Sequence, residues 1–246
     1  MPGETEIMSS DLRARLDESE STAAAREQQL ERYADDLRES FSRERRGREE
    51  LQRSYVATVR ALCNAVEARD AYTGRHAERV AAYGMEIAHA IGASFAGDPD
   101  VEFGFLLHDI GKVAMPDAIL WKPEPLTSDE RTLMERHPVV GWEILREVDF
   151  LDEAKLVVRH HHERWDGTGY PDHLDGERIP LSARVFSVAD TFDALTTLRP
   201  YRQPSSIAEA KAIIAEESGT QFDPAVVEAF MTVDEQVLDG IRSRGS

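Results

Sequence analysis

The sequence predicts an all-α protein, and three observations carry the prediction. Apolar residues recur at three- and four-residue steps along most of the chain, alternating strand-like runs are missing, and Gly/Pro-containing breaks separate segments of helix-favouring composition. With 41% apolar residues in 246, the chain has enough material to close a sizeable core. No G-x-G-x-x-G or P-loop pattern occurs, so a dinucleotide-binding sheet has no support.

The first element is a long helix within residues 1–55, which are rich in Glu, Arg, Ala, Gln and Ser and contain no Trp and no Pro after Pro2. Leu30, Ala34, Leu37 and Phe41 form a 4-3-4 seam, which resumes at Leu51, Tyr55, Val59, Leu62 and Val66 after the interruption SRERRGREE. Such a seam suits a parallel coiled coil that makes a homodimer and couples the chain to signalling partners. The alternative is a solvated, partly frayed helix, because few heptads are clean.

From residue 56 the pattern is globular. Val80, Ala81, Gly84, Ile87, Ala88 and Ile91 share one face of a helix from Ala77 to Ile91, which ends at Gly92. Thr127 and Glu130 form a capping box opening a helix over Ser128 to Arg136, and Pro138 suits the first turn of the next. Helices are expected over Glu153 to Arg159 and Leu181 to Leu195, with Trp165 to Pro180 irregular. The expected domains are 1–55 as a helical segment, 56–232 as the globular domain and 233–246 as a C-terminal tail.

Charge and composition exclude several roles. The 29 Lys and Arg against 47 Asp and Glu leave a net charge of −18, which offers no basic face for duplex nucleic acid. Apolar runs fall short of the ~20 residues of a membrane span, and the acidic start MPGETEIMSSD lacks the pattern of a signal peptide. The single cysteine, Cys63, fits a reducing compartment and is expected as a small core residue, so the expected location is cytoplasmic.

The chemistry lies in the histidines: His76, His89, His108, His137, His160, His161, His162 and His173. His108-Asp109 follows the apolar run FGFLL, where a buried His and a buried carboxylate are costly unless paired or coordinated. His161-His162 precedes a Gly-rich loop, and Asp190 sits inside the apolar run FSVADTFDAL. Buried imidazoles with buried carboxylates make a mixed N/O donor set that suits Fe, Mn, Ni or Zn.

HDIGK at 108–112, HHERWDGTGYP at 161–171 and ADTFDALTTLRPYR at 189–202, in that order, resemble the HD-GYP family of bacterial cyclic di-GMP phosphodiesterases. DAYTGRHAERV, WKPEPLTSDERTLMERHPVVGWEIL and GTQFDPAVVEAF extend the resemblance over about residues 56 to 232. It implies an HD-domain helical bundle with the HD-GYP extension. It also implies that His76, His108, Asp109, His137, His161, His162 and Asp190 bind two divalent metals, Fe or Mn favoured over Zn or Ni, with Asp109 shared between them. Catalysis would fall to Asp109 and Lys112, the latter facing the scissile phosphate. Lys112, Gly169, Tyr170, Pro171, Arg199 and Arg202 would contact the cyclic dinucleotide. His89, His160 and His173 match no ligand position and are expected at the surface or behind the ligands, His160 above all.

One position departs from the family pattern. Some members hold a third metal through a Glu four residues before the first histidine ligand, where this chain has Tyr72, with Glu67 and Asp70 only nearby. A phenol is a poor carboxylate substitute. The expectation is therefore two metals, with linear pGpG as the main product and further cleavage to GMP left open. The rivals are hydrolysis of another nucleotide and a non-catalytic cyclic di-GMP sensor.

Overall fold

A computed structural model describes residues 4–67, 75–198 and 203–244, and the chain divides into two units, Met1–Tyr55 and Val56–Ser246. Helix α1 (Glu4–Glu67) makes up the described part of the first unit and contributes its last turns to the second. Its expected break at SRERRGREE is a break in the apolar seam and not in the helix. The pairs Glu39–Arg43, Glu44–Arg48 and Arg45–Glu49, each 3.0 Å apart at i,i+4 spacing, support the helix through Gly47. Leu30, Leu37 and Phe41 are exposed, at 68%, 56% and 65%.

The second unit is helical. In chain order α2 (His76–Ala90), α3 (Pro99–Leu107), α4 (Asp117–Leu120), α5 (Ser128–Met134) and α6 (His137–Leu145) precede α7 (Asp152–His160). They are followed by α8 (Leu181–Thr196), α9 (Ile207–Glu216), α10 (Pro224–Thr232) and α11 (Glu235–Arg244). Among the described residues there is no strand; Ser218 and Phe222 make one isolated bridge. The expected capping box is present, with Thr127 Oγ1 accepting from Glu130 N at 3.3 Å and Glu130 Oε2 accepting from Thr127 N at 2.7 Å.

The core forms where α2 packs on α8, α3 on α7 and α6 on α7. It buries Tyr83, Phe105, Phe186, Phe192 and Phe230 almost completely. One expectation needs correction. Val59 of the seam is 5% exposed and Val66 packs against this core, so these two positions are not free for a second copy, while Cys63, also 5% exposed, is the core residue expected. Within the expected C-terminal tail, α11 brings Leu238 and Ile241 into the core, because an amphipathic helix must bury its apolar stripe.

Candidate metal centre

Helix ends deliver most of the donors. The apolar run of α3 stops at His108, its C-cap, and Asp109 opens a tight turn over Ile110–Ala114. His76 begins α2, His137 begins α6, His161 and His162 follow the end of α7, and Asp190 lies within α8. Gly111 lets these ends meet, since a Cβ there would collide with the carbonyl oxygen of His137.

Asp109 is the hub. Its Oδ1 lies 3.2 Å from His137 Nε2 and 4.0 Å from His161 Nε2, and its Oδ2 lies 3.1 Å from His108 Nε2 and 2.8 Å from Lys112 Nζ. His137 Nε2 and His161 Nε2 are 3.2 Å apart. Donor atoms of Asp109, His137, His161 and His162 all fall within 4.8 Å of one another. Beside them His76 Nε2 is 3.3 Å from Asp190 Oδ1, and the His76 and His108 rings meet edge to face at 5.6 Å. His76, His108, Asp109, Lys112, His161, His162 and Asp190 line one cavity of about 190 Å³, and Cys63 and Val66 of α1 contribute to its wall.

The electrostatics follow from burial and partners. Burial alone would lower the pKa of His76, but hydrogen bonds and charge from Asp190 and Asp193 outweigh it and raise it to about 10. Burial, with the neighbouring imidazoles, holds His161 well below its ordinary value and His162 at about 3. For Asp109 burial acts upward, yet the charges of Lys112 and His108 and hydrogen bonds from His108 and His137 keep its carboxyl well below the usual range. Asp190 is held low against burial chiefly by His76.

These residues fit a metal. His108, His137 and His161 each donate Nδ1–H to a backbone carbonyl, those of Phe105 at 2.9 Å, Met134 at 2.8 Å and Val158 at 2.9 Å. A carbonyl can only accept, so Nδ1 carries a hydrogen, and in the neutral imidazole, the form that binds a metal, the Nε2 lone pair faces the centre. Lone pairs facing each other and a carboxylate repel unless a cation or a shared proton lies between them.

Gly169, Tyr170 and Pro171 lie on a loop against this cluster. Tyr170 N donates to His162 O at 3.2 Å, and its ring stacks on the His162 ring with centroids 4.7 Å apart. Gly169 is required by close approach rather than by a left-handed φ, because a Cβ there would strike the backbone of Glu163 and Arg164. Burial, helped by the charges of Glu135 and Asp109, pushes the Tyr170 phenol up, so it stays neutral. His89 and His173 are exposed and His160 is buried. Arg199, Arg202, Tyr72 and Asp70 lie outside the described residues, as does the side chain of Glu67.

Three supporting residues escaped the sequence reading. Asp193, 1% exposed, accepts from His76 Nδ1 at 2.8 Å and is gripped by Arg79 through Nε at 2.6 Å and Nη2 at 3.0 Å. The signal was available: Asp193 is a second charge in FSVADTFDAL, three residues after Asp190, where an unpaired carboxylate is costly. Glu163, 3% exposed, accepts from the backbone N–H of Asp172 at 2.8 Å and of Leu174 at 3.1 Å, and so anchors the loop.

Comparison with known proteins matches residues 60–226 to the HD domain family model. The chain is 40% identical over 184 residues to the cyclic di-GMP phosphodiesterase response regulator RpfG of Xanthomonas campestris pv. campestris, covering 74% of this chain and 49% of that protein. It is 40% identical over 178 residues to a cyclic di-GMP phosphodiesterase of Thermotoga maritima, covering 72% and 48%. Against the 3′3′-cGAMP-specific phosphodiesterase 2 of Vibrio cholerae the identity is 39% over 184 residues, covering 74% and 35%. The chain thus spans less than half the length of these relatives. Among solved structures, a Vibrio cholerae phosphodiesterase specific for cyclic GMP-AMP shares the fold with a TM-score of 0.56 at 23% identity, over 75% of this chain and 49% of that one.

Proposed function

The chain belongs to the HD domain family, in its HD-GYP branch, and on that premise we propose that residues 56–232 form a metal-dependent phosphodiesterase that opens cyclic di-GMP to pGpG. The observation that carries this reading is the convergence of histidine Nε2 atoms on the two oxygens of Asp109. In it His76, His108, Asp109, His137, His161, His162 and Asp190 would hold two divalent ions. Fe or Mn is favoured over Zn or Ni. When bound, the ions supply Lewis acidity toward phosphate oxygens and acidify water.

The chain's own residues do the rest. Carbonyl-anchored imidazoles hold their rings in one orientation, so the centre needs little reorganisation. Lys112 Nζ, 2.8 Å from Asp109, brings a positive charge within reach of a phosphate seated there and stabilises the leaving 3′ oxygen. Tyr170, stacked on His162, presents an aromatic edge for a base, while Arg199 and Arg202 take a phosphate or a guanine edge. Complete donors favour this over the sensor reading. The lone Cys63 supports a cytoplasmic setting, and no helix among the described residues is long and apolar enough to cross a membrane.

The test is anaerobic purification, removal of metal by chelation, and incubation with cyclic di-GMP and separate Mn, Fe or Zn supplements. Turnover restored by Mn or Fe and abolished by Asp109→Ala supports the reading; no turnover with any metal overturns it. A second substrate has a specific observation behind it, the 39% identity to a 3′3′-cGAMP-specific enzyme. The ratio of kcat/KM for the two dinucleotides decides between them, and separated products distinguish pGpG from GMP.

The first unit we read as a parallel dimer element that brings input from signalling partners. Its support is the exposed seam Leu30, Leu37 and Phe41 on α1. Light scattering should give a dimer for the full chain and a monomer when residues before Tyr55 are removed; a full-chain monomer at about micromolar concentration ends the idea.

A further inference from the structure

A second group of facing donors lies where α7 meets the Gly-Tyr-Pro loop: His160, Glu163 and Asp172, with donor atoms within 4.8 Å of one another. His160 is 8% exposed, and its Nδ1 is buried with no hydrogen-bond partner. That nitrogen stands 3.8 Å from Glu163 Oε1 and 3.6 Å from Asp172 Oδ2.

Both separations are too long for a hydrogen bond. They are also too short for one bridging water, whose two partners, each about 2.8 Å away, sit roughly 4.5 Å apart. Donors bound to a divalent transition ion at about 2.0 to 2.2 Å are separated by roughly 3.3 to 3.8 Å at tetrahedral to trigonal angles. The observed spacing falls in that range.

The carboxylates are held in place. Glu163 accepts the backbone N–H groups of Asp172 and Leu174. Asp172 is gripped by Arg159 through Nε to Oδ2 at 2.7 Å and Nη2 to Oδ1 at 2.9 Å, and Arg159 itself lies over the Trp142 ring at 5.3 Å. Each oxygen keeps a further lone pair beyond these bonds. Two carboxylates against one guanidinium leave the group net negative, and the neutral imidazole adds the nitrogen donor that selects a transition ion over Ca²⁺ or Mg²⁺.

We propose that His160, Glu163 and Asp172 form a separate structural site for one divalent transition ion of the Zn²⁺ class. The ion ties Asp172, the residue after Pro171, to the turn that carries His161 and His162. It sets the loop against the candidate centre without touching substrate.

The test removes the first centre and keeps this one. Asp109→Ala/His137→Ala protein, stripped with chelator and titrated with Zn²⁺ and with Co²⁺, should retain one tightly held ion per chain. Adding His160→Ala should weaken that binding at least about tenfold. Wild-type crystals soaked in Zn²⁺ should show an anomalous peak bonded to His160 Nδ1, and this measurement decides alone where the variants do not fold. No retained ion in the double variant, an ion that His160→Ala leaves in place, or no anomalous peak at His160 overturns the site. Neither measurement uses turnover, so an absence of dinucleotide hydrolysis would bear on the proposed function and not on this site.

Discussion

Asp193 shows how much one residue beyond the donor set contributes. It fixes His76 through Nδ1 and neutralises the buried Arg79, so Asp193→Asn removes an orienting charge and leaves a guanidinium poorly compensated. The expected outcome is about a 10- to 100-fold loss of metal affinity in a chelator competition, with lowered stability. Unchanged affinity would show that Asp193 supports the fold but not His76. Protonation gives a second prediction at this scale. His161 and His162 are depressed in the folded chain, so unfolded protein binds more protons once pH falls below about 6.5. Metal-free protein should then lose up to about 1.4 kcal/mol per pH unit for each histidine, from pH ~6.5 down toward the folded values. Asp109 and Asp190, also depressed, extend the loss in the same direction below pH ~4. His76 acts at the other end: its contribution is complete below about 6.5 and fades as pH rises toward about 10. Denaturant melts at a series of pH values check both limbs, and a flat profile between pH 7 and 5, taken as about that span, would contradict the first.

Close helix contacts assemble the site at the scale of elements. The turn after α3 reaches the start of α6 only because Gly111 has no side chain, so Gly111→Ala must push Asp109 away from His137. The expectation is a fall in melting temperature of several degrees together with reduced metal occupancy, measured by calorimetry and elemental analysis. α11 offers the contrast. Leu238→Ala empties a fully buried position far along the chain from any donor and should cost about 2 to 5 kcal/mol in a denaturant titration while leaving the metal count unchanged. Both contacts were hidden from periodicity, which reports which face of a helix is apolar but not which neighbour it meets. Val59 and Val66 illustrate this. They read as the end of a dimer seam, yet both pack on the core and Val66 contributes to the wall of the cavity.

For the whole molecule, a net charge of −18 opposes the approach of an anionic dinucleotide. With metal saturating, kcat/KM should rise modestly as salt screens that repulsion, from about 10 mM to about 150 mM; a steep fall would mean that the local cations dominate the field. The all-α class, the capping box at Thr127, the helices around residues 77–91 and 181–195, and the candidate donors were legible in the chain. Local periodicity and the cost of burying polar groups in apolar runs are properties of neighbouring residues. His108-Asp109 after FGFLL and Asp190 within FSVADTFDAL were visible for that reason. Tertiary structure alone decided that Asp193 and Arg79 stand behind His76, 117 and 3 residues away from it, and that Glu163 anchors the loop. It alone turned residues 235–244 inward and left His160 Nδ1 facing two carboxylates. Partners separated by a hundred residues meet only when helices pack, and packing is set by the fit of whole faces rather than by any local pattern.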